Sequence, residues 1–353
     1  MRMFHSPLWP GVPLALASAL TFGASTPFSK LLLARLDPQL LAGLLYLGAG
    51  IGLAGVQLAR SVLGIPAQEA PLRRTDLPWL GAVVLSGGII GPVLLMLGLA
   101  RTSAASASLL LTLESLATMG LAWVVFREHV DRRLLAGAFA ILAGAATLAW
   151  QGHGIAIDTG TVLIAGACLA WGIDNNLTRK LSAADPVLIA LVKGLVAGGV
   201  NTGLALWWGA ALPSAWMLGA AGLVGLVGIG VSLVLFVLGL RHLGAARTGA
   251  YFALAPFIGA VLAVVLLGEQ LTGQLLGAGA LMAAGLWLHL AERHRHAHAH
   301  GALEHEHRHT HDEHHQHGHD EPVTEPHTHW HLHAPLRHTH PHYPDLHHRH
   351  RHR

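Results

Sequence analysis

The sequence predicts an all-α integral membrane protein: ten transmembrane helices in two inverted five-helix repeats, followed by a disordered cytosolic tail. Three observations predict it. The 353-residue chain is 52% hydrophobic and only 12% charged, whereas an ordinary soluble domain carries about 25% charged residues. Of its 41 Asp, Glu, Lys and Arg residues, 16 lie from Glu292 onward, which leaves 25 for the first 291 residues. So few charges cannot cover a soluble protein of that size, and a bilayer is the solvent that suits it. Finally, long apolar stretches recur ten times, and those of one half echo those of the other.

A hydrocarbon core of about 30 Å needs about 20 helical residues. Stretches of that length fall at roughly 11–33, 39–60, 78–99, 104–126, 132–150, 160–179, 186–208, 215–240, 245–267 and 272–291. The first runs past 20 residues with no small-residue cleavage site behind it, so it reads as a span and not as a secretory signal. Most connections are short. The longest, near 61–77, carries Pro66, Pro71, Arg73 and Arg74.

Lysine and arginine orient the spans. With the N-terminus inside, 11 of them fall on inside segments before the tail and three (Lys30, Arg35 and Arg101) fall outside. Both termini are therefore expected in the cytoplasm of a bacterial cell, with the chain in its inner membrane. The basic residues form no stripe on a folded face, so no nucleic-acid partner is implied. The single cysteine, Cys168, excludes an intramolecular disulfide.

"VLLMLGLARTSAASASLLLTLESLATMGLAWVVFREHV" from Val93 aligns without a gap on "VLFVLGLRHLGAARTGAYFALAPFIGAVLAVVLLGEQL" from Val234. The offset of 141 pairs Gly98 with Gly239, Leu113 with Leu254 and Glu128 with Glu269. Likewise "LTFGASTPFSK" (20–30) echoes "LAWGIDNNLTRK" (169–180), and Asp37-Pro38 echoes Asp185-Pro186. Residues 11–150 and 160–291 thus read as two copies of a five-helix unit, with 292–353 as the tail. Five is odd, so the second copy enters the membrane from the opposite side, an architecture common in secondary transporters.

These residues resemble the EamA branch of the drug/metabolite transporter superfamily over roughly 11–291. The resemblance rests on Phe22-Gly23 and Trp171-Gly172 in the first helix of each repeat, and on "LTLESLATMGLAWVVFREHV" (111–130) and "FALAPFIGAVLAVVLLGEQLT" (252–272). The first repeat has Phe22 where the family usually has Trp, and the family has no counterpart for the tail. The resemblance implies a ten-helix permease that exports its substrate.

Ionisable groups at bilayer depth are costly, by about 2.5–3.5 kcal/mol on insertion scales, and they usually face a cavity or a partner. Glu114 in the fourth span, Asp174 with Asn175 and Asn176 in the sixth, and Lys193 in the seventh form the expected substrate or proton site. A buried carboxylate without a charge partner can load and release a proton near neutral pH. The competing reading is a structural Lys193–Asp174 ion pair with polar helix glue. Gly87, Gly91 and Pro92 in span three, Gly228 in span eight and Pro256 in span nine are expected to break or kink helices around that site. Glu128 and Glu269, at helix ends, are expected to cap interfaces. No GxxxxGK[ST] motif is present, so the chain shows no means of its own to use ATP, and it is not expected to be an enzyme.

The tail holds 23 of the chain's 28 histidines. His305, His307, His309, His311, His314, His315, His317 and His319 are its densest part. Few aliphatic residues interrupt it, so it should be disordered. Neutral imidazole suits Ni, Co and Zn, and the tail reads as a loose metal trap with no tightly bound cofactor. A pH-dependent polycation and a low-complexity extension without a role are the other readings. Together these features point first to export of a divalent transition metal, Ni²⁺, Co²⁺ or Zn²⁺, coupled to protons. Export of small metabolites or drugs, with the tail incidental, is the second reading, and a membrane-anchored metal buffer or sensor is the third.

Overall fold

The computed structural model describes residues 10–64, 72–126, 132–150, 158–178, 181, 185–243 and 245–290, together with four strand segments between 295 and 341. Long helices dominate, because an apolar chain in lipid must satisfy its backbone hydrogen bonds within each segment. Six stretches among the described residues are long and apolar enough to cross a membrane: Pro38–Val62, Arg74–Leu99, Ala104–Val125, Val187–Trp207, Ala215–Gly239 and Thr248–Leu267. The surface agrees with an integral membrane protein. Large apolar side chains such as Leu58, Val124, Phe139 and Val265 stand exposed along the helices, where a soluble protein would place polar residues.

Six helices run unbroken: α1 (Gly11–Leu33), α2 (Pro38–Val62), α7 (Arg132–Leu148), α8 (Thr159–Thr178), α9 (Pro186–Trp207) and α14 (Gly273–Leu290). Two of them start alike. The Asp37 carboxylate accepts from the backbone N–H groups of Gln39 and Leu40 at the head of α2, and that of Asp185 from Val187 at the head of α9. In both, proline follows at the first helical position, where its missing N–H is not needed.

The other helices are interrupted. Between α3 (Leu77–Val83) and α4 (Gly91–Leu99) lies a π-helical segment, Val84–Ile90, and a second one, Leu226–Val231, separates α10 (Ala215–Gly225) from α11 (Ser232–Leu243). Two further breaks separate α5 (Ala104–Leu110) from α6 (Leu113–Phe126), and α12 (Ala245–Phe252) from α13 (Ala255–Leu267). Pro92 and Pro256 sit in the first turns of α4 and α13. Both prolines thus stand next to an irregular stretch of helix: Pro92 follows the π-helical segment and Pro256 follows the break at Ala253–Leu254.

Helix α2 packs along α9, α7 along α14, and α8 against α4 and α6, while α1 lies against α11 and α13. The α2–α9 contact is close because glycine faces glycine: a Cβ on Gly194 would stand 2.7 Å from the Gly50 backbone nitrogen. Leu40, Leu41, Leu99, Leu110, Ile141, Ile164 and Met282 are fully buried in the interior.

Within the tail, four short strand segments are described. Strand β1 (Arg295–His300) pairs antiparallel with β4 (Leu336–Pro341), and β2 (Leu303–His309) with β3 (His327–His333). Histidine at every second residue matches the two-residue period of a strand. His305, His307 and His309 lie in β2. His311, His314, His315, His317 and His319 lie outside the described residues, as does Glu128.

Candidate functional site

The expected site residues come together where α6, α8, α9 and the first π-helical segment meet. Asp174, in α8, pairs with the Lys193 ammonium of α9, and its other carboxylate oxygen accepts from the Thr178 hydroxyl at 3.2 Å. The two ion-pair side chains are 8% and 17% exposed, so the pair is largely withdrawn from solvent. This is the ion pair that the competing sequence reading anticipated.

Glu114 lies midway along the span Ala104–Val125, in the first turn of α6, just after the break at Leu111–Thr112. A helix N-terminus favours a negative charge. Its Oε1 accepts from the Asn175 side-chain amide of α8 at 2.9 Å. The same amide reaches the Thr118 hydroxyl at 3.2 Å. Glu114 is half-buried and within electrostatic range of both Asp174 and Lys193. Asn176 holds α8 to α6 through the Thr118 carbonyl at 3.0 Å, and its Oδ1 is buried without a hydrogen-bond partner.

The π-helical segment closes the other side. Gly87 packs directly on the Asp174 carboxylate, leaving no room for a side chain. Its carbonyl accepts from the Tyr46 hydroxyl at 2.9 Å and from the Trp171 indole at 3.0 Å. A Cβ on Gly91 would stand 2.8 Å from that indole nitrogen. The Asn201 amide of α9 reaches the Gly88 and Ile89 carbonyls at 3.4 and 3.3 Å. A π turn leaves carbonyls out of the regular ladder, and Tyr46, Trp171 and Asn201 take them up.

Tyr46, Asn201 and Thr118 were not anticipated. Asn201 had a readable signal, a lone amide inside an apolar stretch. Tyr46 had none, because an aromatic in a span resembles any packing residue. Gly228 lies in the second π-helical segment but packs on Ser25 of α1, not on the charged cluster.

The alignment of the two halves shows that the cluster is built once. Ser25, Leu45 and Ala255 stand where Asp174, Lys193 and Glu114 have their counterparts. One charged residue comes from the first half and two from the second.

Among curated proteins, an "Uncharacterized transporter" of Methanothermobacter thermautotrophicus is 30% identical over 297 residues, covering 80% of this chain and 86% of that protein. A "Probable terminal-alkyne amino-acid exporter" of Streptantibioticus cattleyicolor is 28% identical, over 68% of this chain and 83% of its own. A "Probable amino-acid metabolite efflux pump" of Salmonella typhimurium is also 28% identical, over 52% and 66%. A solved structure with a TM-score of 0.55 and 20% identity covers 77% of this chain and 96% of that one, and so shares the fold. The EamA-like transporter family matches residues 9–150 and 158–291. With nearly all of its helical part matched by that family, this chain is a multi-pass membrane protein that belongs to the EamA-like transporters.

Proposed function

We propose that the protein exports a small amino-acid-like metabolite across the bacterial inner membrane, with protons as the coupling ion and both termini in the cytoplasm. Ten spans in two inverted halves would alternate access to a site between them. The observation that carries this reading is Glu114: a half-buried carboxylate at a helix break, hydrogen-bonded to Asn175 of the other half and in range of Asp174 and Lys193. Groups of both signs suit a substrate that carries an ammonium and a carboxylate. Glu114 is also the cluster's one carboxylate outside the ion pair, and so the group suited to carry the coupled proton.

The π-helical segments and the two helix breaks fall at matching places in the halves, as substrate sites on discontinuous helices do. The names of two relatives support an amino-acid-like cargo. The metal-ion cargo suggested by the tail has less support. Among the described residues no group of three or more His, Cys, Asp or Glu is placed to hold a metal.

Reconstitution into liposomes with an imposed pH gradient tests the proposal. Labelled neutral amino acids should move with the gradient. Glu114→Gln should abolish that coupling, and deletion of 294–353 should leave it intact. Gradient-driven Ni²⁺ or Zn²⁺ movement without amino-acid movement would overturn the reading.

A further inference from the structure

We infer, building on the alternating-access reading above, that the protein is closed on the side where α1 ends and open on the side where α1 begins. Gly249 is then the residue kept free for closing the open side, which is cytoplasmic in the orientation proposed above. Inverted halves supply an internal standard. Helices equivalent under the repeat have equivalent surroundings unless the two sides of the molecule are in different states. The offset of 141 pairs α5 with α12 and α6 with α13, and Gly23 of α1 pairs with Gly172 of α8. The closed crossing joins α1, α5 and α13. A Cβ on Gly259 of α13 would stand 2.7 Å from the Ser108 hydroxyl oxygen of α5 and 2.8 Å from the Gly23 carbonyl oxygen. Ser108, Leu109, Leu110 and Leu111 are all buried there. Lys30, near the end of α1, reaches the Leu99 and Thr102 carbonyls just ahead of α5, which sets this crossing on the side where α1 ends.

The equivalent crossing of α8, α12 and α6 is only two-thirds made. Helices α8 and α6 meet as α1 and α13 do: a Cβ on Gly172 would stand 2.8 Å from the Ala117 Cβ and 2.9 Å from the Thr118 nitrogen. Helix α12 is the missing member. Gly249, the counterpart of Ser108, has nothing within 4 Å of its Cβ position, and Gly249, Ala250, Tyr251 and Phe252 are all half-buried. A Cβ on Gly239 would stand 3.1 Å from Thr248 and 3.5 Å from Ala15, which sets α12 on the side where α1 begins. The residue types fit a crossing that closes in the other state. One side has serine on α5 facing glycine on α13; the other has glycine on α12 and Thr118 on α6, the same pair with its members exchanged. A glycine inside a helix is destabilising relative to alanine, so the empty place beside Gly249 calls for an occupant, and Thr118 is the one its counterpart names. Thr118 also receives the Asn175 amide that binds Glu114. Movement of α12 onto α6 therefore covers the charged site from the side that is now open, while α5 parts from α13.

The test uses the full chain in lipid nanodiscs and needs no cargo. Ser108→Cys on a Cys168→Ala background reports parting of α5 from α13 by its rate of reaction with a maleimide. Gly249→Ala and Gly249→Leu fill the reserved place and should slow that reaction, the leucine by about tenfold or more. Gly120→Leu is the control. Gly120 also meets nothing within 4 Å, but its counterpart, Val261, is 62% exposed, so neither state closes on it and the rate should match the parent. The unfolding midpoint of Gly249→Ala should be no lower than the parent's, because the structure leaves room for the methyl group; this variant carries the test if the leucine fails to fold. Equal rates in the Gly249 and Gly120 variants, or a parent that does not react, would overturn the inference. Loss of amino-acid movement in liposomes with this pattern intact would overturn the cargo alone.

Discussion

The Glu269 carboxylate accepts hydrogen bonds from the backbone N–H groups of Ala104, at 2.7 Å, and Ala105, at 2.8 Å. It thereby caps a helix whose first residue lies 165 positions earlier in the chain. Beside it, the Lys30 ammonium donates to the Leu99 carbonyl at 2.6 Å and the Thr102 carbonyl at 2.8 Å. A cation on the last carbonyl of α4 and an anion on the N–H groups that begin α5 both match the helix dipoles. The capping role expected for Glu269 is what the structure shows, and it joins the second half of the protein to the first.

Glu269→Ala should therefore destabilise the fold more than loss of an ordinary cap. A cap contributes about 0.5–2 kcal/mol, and hydrogen bonds to a charged group about 1.5–3 kcal/mol. Unfolding by sodium dodecyl sulfate in mild detergent should show a loss of about 2 kcal/mol. Glu269→Gln, which keeps one acceptor, should lie between parent and alanine variant. Equal stability of all three would show that the cap does not hold the halves together.

The Lys193–Asp174 pair should behave as a buried pair. Removing one partner leaves an uncompensated charge, at a cost of about 3–5 kcal/mol. Asp174→Asn and Lys193→Met should each fall in that range in the same assay. The double variant should be more stable than either single one, because no charge is then stranded. Additive losses would mean the two side chains do not depend on each other.

Gly87→Ala should be far more damaging than Gly120→Ala. A methyl group on Gly87 would fall on the Asp174 carboxylate, whereas one on Gly120 meets nothing within 4 Å. Overpacking costs about 1–3 kcal/mol, while alanine in place of a mid-helix glycine with open space beside it is favourable by about 0.5–1 kcal/mol. The measurement is the difference in unfolding midpoint between the two variants. A similar midpoint for both would mean that the π-helical segment yields to fit the added group.

Orientation can be read by labelling. The single cysteine, Cys168, is buried, and Cys168→Ala gives a silent background. On it, Arg35→Cys should react with a membrane-impermeant maleimide in intact spheroplasts. Arg74→Cys should react only once the membrane is opened. The reverse pattern would place both termini outside.

The membrane-protein class was legible in the sequence because lipid imposes one simple demand, long runs of apolar residues. The charged site residues were legible for the same reason: Glu114, Asp174 and Lys193 stand out where any charge is costly. The helix breaks were legible only in part. Pro92 and Pro256 marked their neighbourhood, but whether the chain would kink, form a π turn or restart depended on what filled the gap. At Gly87, Tyr46 and Trp171 fill it by donating hydrogen bonds to one buried carbonyl.

The sequence by itself determined where the apolar helices run, which residues are too polar for lipid and which stretches repeat. All of these follow from transfer free energies and periodicity along one chain. Tertiary structure alone decided the partners. Glu114 meets Asn175 rather than a residue of its own half, Gly87 leaves space that Asp174 occupies, and Glu269 finds a helix end 165 residues away. Hydrogen bonds and close packing act over a few ångströms in space, and distance along the chain does not record which side chains will come that close.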